Sequence, residues 1–92
     1  MQHVAMAVPR ALALLLRDAP ASAGKVDFAW KLAVGPAIGR ATAVRLEGDV
    51  LLVDPVDERW AREIRRSAAM ILSRVQALLG ETAVRAIDVR PR

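Results

Sequence analysis

The first third of the chain places apolar residues at helical spacing in two separate stretches. Pro9 can occupy the first turn of a helix, where its missing N–H is not needed, and Leu12, Leu15 and Leu16 follow on one face. Pro20 disfavours helical geometry in the residue before it, so the first predicted helix ends there.

A second helix is predicted from about Val26 to Gly39. Its apolar face consists of Trp30, Ala33, Val34, Ala37, Ile38 and Ala41. Gly35 and Pro36 lie inside this stretch, and a proline there removes a helix hydrogen bond and clashes with the preceding turn. We therefore expect a kink or a break at this point.

A β-hairpin is predicted next. Residues 43–47 alternate with a period of two, Gly48 and Asp49 form a two-residue turn, and residues 50–53 form the return strand. The return strand is apolar on both faces, so both faces are expected to be covered at least in part.

A long helix and a third strand complete the pattern. Asp57 is placed to cap the start of the helix, and Gly80 is placed to end it. The apolar stripe between them consists of Trp60, Ile64, Ala68, Ile71, Val75, Leu78 and Leu79. The last strand is predicted over residues 84–89, with Ile87 and Val89 facing inward.

Together these elements predict a single α+β domain over residues 9–90, after a loose start over residues 1–8. The order is α-α-β-β-α-β, and the helices are expected mainly on one face of a three-stranded sheet. A chain of 92 residues fits one domain of this kind.

The composition excludes several kinds of chemistry. The chain has no cysteine and no tyrosine, and its one histidine, His3, lies in the expected loose start. Disulfides, thiolate metal sites and thiol catalysis are therefore excluded. The carboxylates of Asp57, Glu58 and Glu63 are explained by capping and by pairing with arginine. We expect no catalytic residue, metal, cofactor or small-molecule substrate, and hence no enzyme.

The apolar run at residues 11–16 is far shorter than the roughly 20 residues that a membrane-spanning helix needs. Arg17 and Asp18 interrupt the run, and no signal-peptide cleavage site is recognisable. We expect no membrane contact and a cytoplasmic location.

Charge adds a candidate interface. The formal net charge of +4 permits attraction to phosphate without requiring it. Arg59, Arg62 and Arg66 are spaced three and four residues apart, so they form one stripe opposite the apolar stripe of the long helix. We predict weak, sequence-independent DNA binding through this arginine stripe, helped by Lys31 or Arg40. The alternative is an ordinary solvated helix face on which arginines pair with glutamates.

The two tryptophans are candidates of a different kind. Trp30 and Trp60 could stack on bases or anchor an interface. Each lies on the apolar stripe of its helix, however, so core packing is the interpretation that the spacing favours.

The hairpin offers a possible docking surface. Leu51 and Val53 point to the opposite side from Val50 and Leu52, so one pair is expected to face away from the main core. We predict that Leu51 and Val53, beside Arg45, form a partner-binding surface.

Several short motifs, taken as a set, resemble one protein family. They are W-K-L-A-V-G at residues 30–35, L-E-G-D-V-L-L-V at 46–53, W-A-R-E-I at 60–64, I-L at 71–72 and L-L-G at 78–80. From about Val26 to Val89, the chain resembles the DciA-like family of bacterial proteins.

The resemblance implies a fold similar to K-homology domains and a role in DNA replication, in which relatives recruit or load the replicative helicase and bind DNA. DNA and the replicative helicase are therefore the partners it implies. Relatives often carry serine where this chain has Asp57, and either residue can cap a helix. The G-x-x-G loop of K-homology domains is missing, because three residues, including Pro36, separate Gly35 from Gly39.

Two functions are left open at this point. The first is a DNA-binding accessory factor that interacts with the helicase at the initiation of bacterial replication. The second is a protein-interaction domain without significant nucleic-acid binding, in which the positive charge is incidental.

Overall fold

The computed structural model of the protein describes residues 10–11 and 22–90. Its elements are α1 (Ala23–Arg40), β1 (Thr42–Glu47), β2 (Val50–Pro55), α2 (Glu58–Arg66), α3 (Ala68–Leu79) and β3 (Ala86–Val89). The predicted α+β class is confirmed. The expected loose start and first helix lie outside the described residues, apart from Arg10 and Ala11, which are helical.

Helix α1 is capped at its start and kinked near its end. The hydroxyl oxygen of Ser22 accepts a hydrogen bond from the backbone N–H of Lys25 at 3.1 Å. Gly35 has φ 84° and ψ 174°, a conformation that is essentially restricted to glycine. Pro36 follows it and has no N–H to continue the helix. The kink predicted at these two residues is confirmed.

The sheet is mixed, with β2 in the middle. Strands β1 and β2 are antiparallel, and the turn between them uses Gly48 at φ 61°, which confirms the predicted hairpin. Strands β2 and β3 are parallel, and the chain passes through α2 and α3 between them. Leu52 is paired with Arg45 on one side and with Asp88 on the other, which fixes the register.

The single long helix predicted from Asp57 to Gly80 is wrong, because the chain forms two helices that meet at Ser67. The N–H of Ser67 donates to the carbonyl of Ile64, three residues back, at 3.1 Å, which tightens the last turn and ends α2. Its carbonyl accepts from the N–H of Ile71 at 2.9 Å, as α3 begins. Both isoleucines are buried, so the apolar stripe continues across the break.

The core lies between the three helices and one face of the sheet. It consists of Val26, Ala29, Trp30, Ala33, Val34, Leu51, Val53, Ile64, Ile71, Val75, Leu78 and Val84. Ile87 and Val89 pack against this cluster, as their spacing predicted. Strand β2 therefore turns Leu51 and Val53 toward the helices and Leu52 toward the other face.

Candidate nucleic-acid interface

Helix α2 presents the arginine stripe to solvent. The carboxylate of Asp57 fixes the start of the helix by accepting a hydrogen bond from the backbone N–H of Trp60 at 3.0 Å. Ala61 and Ile64 are fully buried and set which side of the helix faces the core. All three side chains of the arginine stripe are exposed, as expected for positions on the opposite side.

The three arginines differ in their partners. The guanidinium of Arg66 lies 3.3 Å from the carboxylate of Glu63. The guanidinium carbon of Arg59 lies 5.8 Å from the centre of the Trp60 ring, which is within the range of a cation–π contact. Arg62 makes no ion pair with a residue that the structure describes. The stripe is therefore only partly neutralised by nearby acids.

The pairing that is present is weak. Beside the stripe, Arg65 pairs with Glu58 at 3.1 Å, and both side chains are about half exposed. The pair between Arg66 and Glu63 is similarly open to water. Exposed pairs of this kind contribute at most about 1 kcal/mol, so phosphate can compete for these arginines.

The structure brings Lys31 and Arg40 together at the kink of α1. Both line a groove of about 410 Å³ whose other walls are Phe28, Leu32, Pro36 and Gly39. The side chain of Lys31 also pairs with Asp27 at 2.9 Å, one turn earlier in the helix. Arg40 is exposed in the last turn. These two cations therefore form a second basic site, on a different element from the arginine stripe.

The two tryptophans occupy different surroundings. The core position predicted for Trp30 is confirmed: it is 1% exposed, and its indole N–H donates to the hydroxyl of Thr42 at 2.8 Å. The core position predicted for Trp60 is wrong, because this side chain is partly exposed and is not part of the core cluster. The short helix α2 buries Ala61 and Ile64 against the sheet and leaves Trp60 at the flank.

Trp60 lines a surface groove instead. The groove has a volume of about 320 Å³, and its walls are Ile38, Arg59, Trp60 and Glu63. Ile38 belongs to the segment of α1 after the kink, so the groove is formed between the end of α1 and the first turns of α2. Helical spacing alone could not find this site, because it places Trp60 in line with Ile64.

The docking surface predicted on the hairpin is wrong. Leu51 and Val53 are fully buried in the core, because their face of β2 is the one that the helices cover. On the other face Leu52 is only 6% exposed. Arg45 is exposed, and it pairs with Glu47 at 2.9 Å on its own strand. No exposed apolar pair is available here.

Arg74 is a residue whose position the sequence did not predict. One of its guanidinium nitrogens donates to the carbonyl of Ala33 at 3.3 Å, which joins α3 to the turn of α1 before the kink. Carbonyl groups in the turn before a helix-interior proline lose regular donors, so the Gly35-Pro36 pair was a signal that a donor from elsewhere would be needed.

Within residues 10–11 and 22–90, no three histidine or acidic side chains come together in a way that could hold a metal ion. In the same part of the chain, no helix has the length and apolar character needed to cross a membrane.

Comparison with protein families identifies the chain. The family model described as Dna[CI] antecedent, DciA, matches residues 3–89, which is nearly the whole sequence. The chain belongs to the DciA family. The resemblance noted from Val26 onward therefore extends almost to the first residue. No curated protein sequence matches the chain. Membership of the DciA family supports an accessory role in DNA replication for this domain.

Proposed function

We propose that this domain is a non-enzymatic accessory factor in the initiation of bacterial DNA replication, which binds DNA and interacts with the replicative helicase. The observation that carries the DNA-binding part is the exposure of the whole arginine stripe on α2, in a chain of the DciA family. Such contacts address phosphates rather than bases, so binding is weak and independent of sequence.

The geometry of the stripe suits a phosphate backbone. Arg59 and Arg66 are seven residues apart, which corresponds to about 10 Å along a helix axis. One strand of duplex DNA rises about 3.4 Å per nucleotide along the helix axis, so the stripe is about as long as three nucleotide steps measured along that axis. Lys31 and Arg40 supply a second contact near the kink of α1.

Side chains, rather than a glycine loop, make these contacts. The order β-β-α-α-β is similar to that of K-homology domains, in which a G-x-x-G loop between two helices holds the nucleic-acid backbone. Here the junction between α2 and α3 reads Arg65-Arg66-Ser67-Ala68 and contains no glycine. We therefore assign the phosphate contacts to basic side chains.

The test is a DNA titration at several salt concentrations, with two triple variants matched in charge. Variant one changes Arg59, Arg62 and Arg66 to Glu. Variant two is the control and changes the exposed residues Arg45, Arg85 and Arg90 to Glu. Each reversal removes two charges, so both variants fall from a formal +4 to −2.

The stripe variant is expected to lose binding, and the control variant to keep most of it, with unchanged circular dichroism in both. In the wild type the logarithm of affinity should fall with the logarithm of salt, by a slope of about 1 for each phosphate contact. Equal losses in both variants would assign the effect to net charge, and no salt dependence in the wild type would refute phosphate binding.

Helicase interaction is tested by a pull-down with the replicative helicase at moderate salt, with and without single-stranded DNA. Retention without DNA supports direct contact. Retention only with DNA would mean that DNA bridges the two proteins, and no retention in either case would refute the helicase part of the proposal.

A second candidate function is protein interaction without nucleic-acid binding. The observation in its favour is the apolar groove at the kink of α1, where Phe28 is 48% exposed. Under this function the wild type should retain the helicase without binding DNA, and substitution of Phe28 by Ser should abolish that retention.

A further inference from the structure

The side chain of Trp60 is only partly packed against the rest of the domain. Its ring is partly exposed, and its indole N–H donates no hydrogen bond to a described residue, whereas that of Trp30 is satisfied by Thr42. Indole rings combine a large apolar surface with a polar tip, so a surface tryptophan with a free N–H is suited to a ligand that offers both a flat face and an acceptor.

The groove around Trp60 has the chemistry of a base-stacking site. The guanidinium of Arg59 lies over the Trp60 ring, 5.8 Å from its centre, and has no acidic partner among the described residues, so it is available to a phosphate. Ile38 contributes an apolar wall. Glu63, on a third side, repels a phosphate but can accept hydrogen bonds from base N–H groups. A base therefore suits the groove, and its phosphate suits the Arg59 side.

We propose that Trp60 stacks on an unpaired base while Arg59 holds the adjacent phosphate, so that the domain prefers single-stranded over duplex DNA. This inference rests on the DNA binding proposed above and adds to it the class of strand that is recognised. In a duplex the bases are stacked on each other and do not present a free face to a side chain. Stacking accepts any base, so the preference for single strands is compatible with binding that ignores sequence.

The experiment compares three ligands of equal length: a single-stranded oligonucleotide, its duplex, and an abasic strand that retains only sugars and phosphates. The proteins are the wild type, Trp60→Leu, Trp60→Phe, and Met70→Ala as a control for loss of a large exposed apolar side chain elsewhere. Binding is measured at one moderate salt concentration, with circular dichroism to confirm the fold.

Trp60→Leu is expected to weaken binding of the single strand by between about 5-fold and about 150-fold, the range for one lost base stack. Its affinities for the duplex and the abasic strand should not change. Trp60→Phe should recover part of the loss, because phenylalanine still offers a flat face, and Met70→Ala should bind all three ligands as the wild type does. Equal weakening for all three ligands, or none for the single strand, would overturn the stacking proposal.

Tryptophan fluorescence gives a second measurement, which does not depend on Trp60→Leu folding stably. Binding of the single strand should quench the tryptophan fluorescence of the wild type, and binding of the abasic strand should not. Trp60→Phe retains only the buried Trp30, so its fluorescence should not be quenched by either strand. Absence of quenching with the wild type bound to the single strand overturns stacking and leaves DNA binding intact. Failure of the wild type to bind any of the three ligands would instead refute the DNA-binding part of the proposed function.

Discussion

The neighbourhoods of Trp30 and Trp60 show how differently one residue type is used in this domain. Trp30 lies on the buried face of α1, and its indole N–H donates a hydrogen bond to the hydroxyl of Thr42 at 2.8 Å. That hydroxyl in turn donates to the carbonyl of Ile38 at 2.7 Å. That chain of hydrogen bonds joins α1 before the kink, α1 after it, and the start of β1. Trp60 is partly exposed instead, and the guanidinium carbon of Arg59 lies 5.8 Å from the centre of its ring.

The difference lies in what each helix packs against. Helix α1 is 18 residues long and makes extensive contact with β1 and α3, so an apolar side chain on its inner face is covered on all sides. Helix α2 has nine residues and buries only Ala61 and Ile64. The spacing of apolar residues predicts which face of a helix turns inward. It does not predict how far the neighbouring elements extend over that face.

The largest expected effect comes from comparing the two tryptophans directly. Trp30→Ala should lower the free energy of unfolding by about 3–5 kcal/mol, because it opens a cavity in the core and leaves Thr42 without its donor. Trp60→Ala should lower it by only about 1–2 kcal/mol, since the ring is already partly in water. Urea unfolding followed by circular dichroism measures both. Equal losses in the two variants would show that Trp60 is a core residue after all.

The sheet provides the second comparison, between the two faces of β2. Leu51→Ala should cost about 2–5 kcal/mol, because Leu51 is fully buried against the helices. Val50→Ala, at a partly exposed position on the other face, serves as the control and should cost clearly less. Both values come from the same unfolding measurement. A small loss for Leu51→Ala with reduced partner binding would restore the docking surface that the burial of Leu51 rules out.

Much of this fold follows from local rules of the sequence. The kink at Gly35, the hairpin turn at Gly48, the cap at Asp57 and the helix end at Gly80 are all where the residue types predicted them. The three glycines have positive φ, which few other residues allow, and Asp57 supplies a side-chain oxygen that accepts a backbone hydrogen bond. The exposure of the arginine stripe also follows, since helical periodicity places it opposite the buried side.

Features that depend on tertiary contacts were not predictable in this way. The break at Ser67 keeps Ile64 and Ile71 on the same side, so the apolar pattern passes through it unchanged. The sequence also does not show which face of β2 packs against the helices, the one with Leu51 or the one with Leu52, because both faces are apolar. Only the position of the helices over the sheet decides which one becomes the core.

The kink allows a third and smaller test of the region around Trp30. Gly35→Ala should cost about 1–3 kcal/mol, because a residue with a Cβ is strained at φ 84° and ψ 174°. Gly24→Ala is the control, since a Cβ there meets only the hydroxyl of Ser22, at 3.9 Å, in the exposed first turn of α1. This control should be neutral or slightly stabilising. A neutral Gly35→Ala would mean that the kink relaxes into a regular helix without loss.

The smallest expected effect concerns the cap that positions Trp60. Asp57→Ala should lower the free energy of unfolding by about 0.5–2 kcal/mol, because the backbone N–H of Trp60 loses the carboxylate that accepts its hydrogen bond at 3.0 Å. Asp57→Ser is the matched control and should stay close to the wild type, since a serine hydroxyl caps a helix nearly as well. Hydrogen exchange of the Trp60 amide separates a local effect from a global one: it should accelerate in Asp57→Ala and stay slow in Asp57→Ser. Faster exchange in both variants would show that the charge of Asp57 at the positive end of the α2 dipole, rather than the capping hydrogen bond, stabilises the start of the helix.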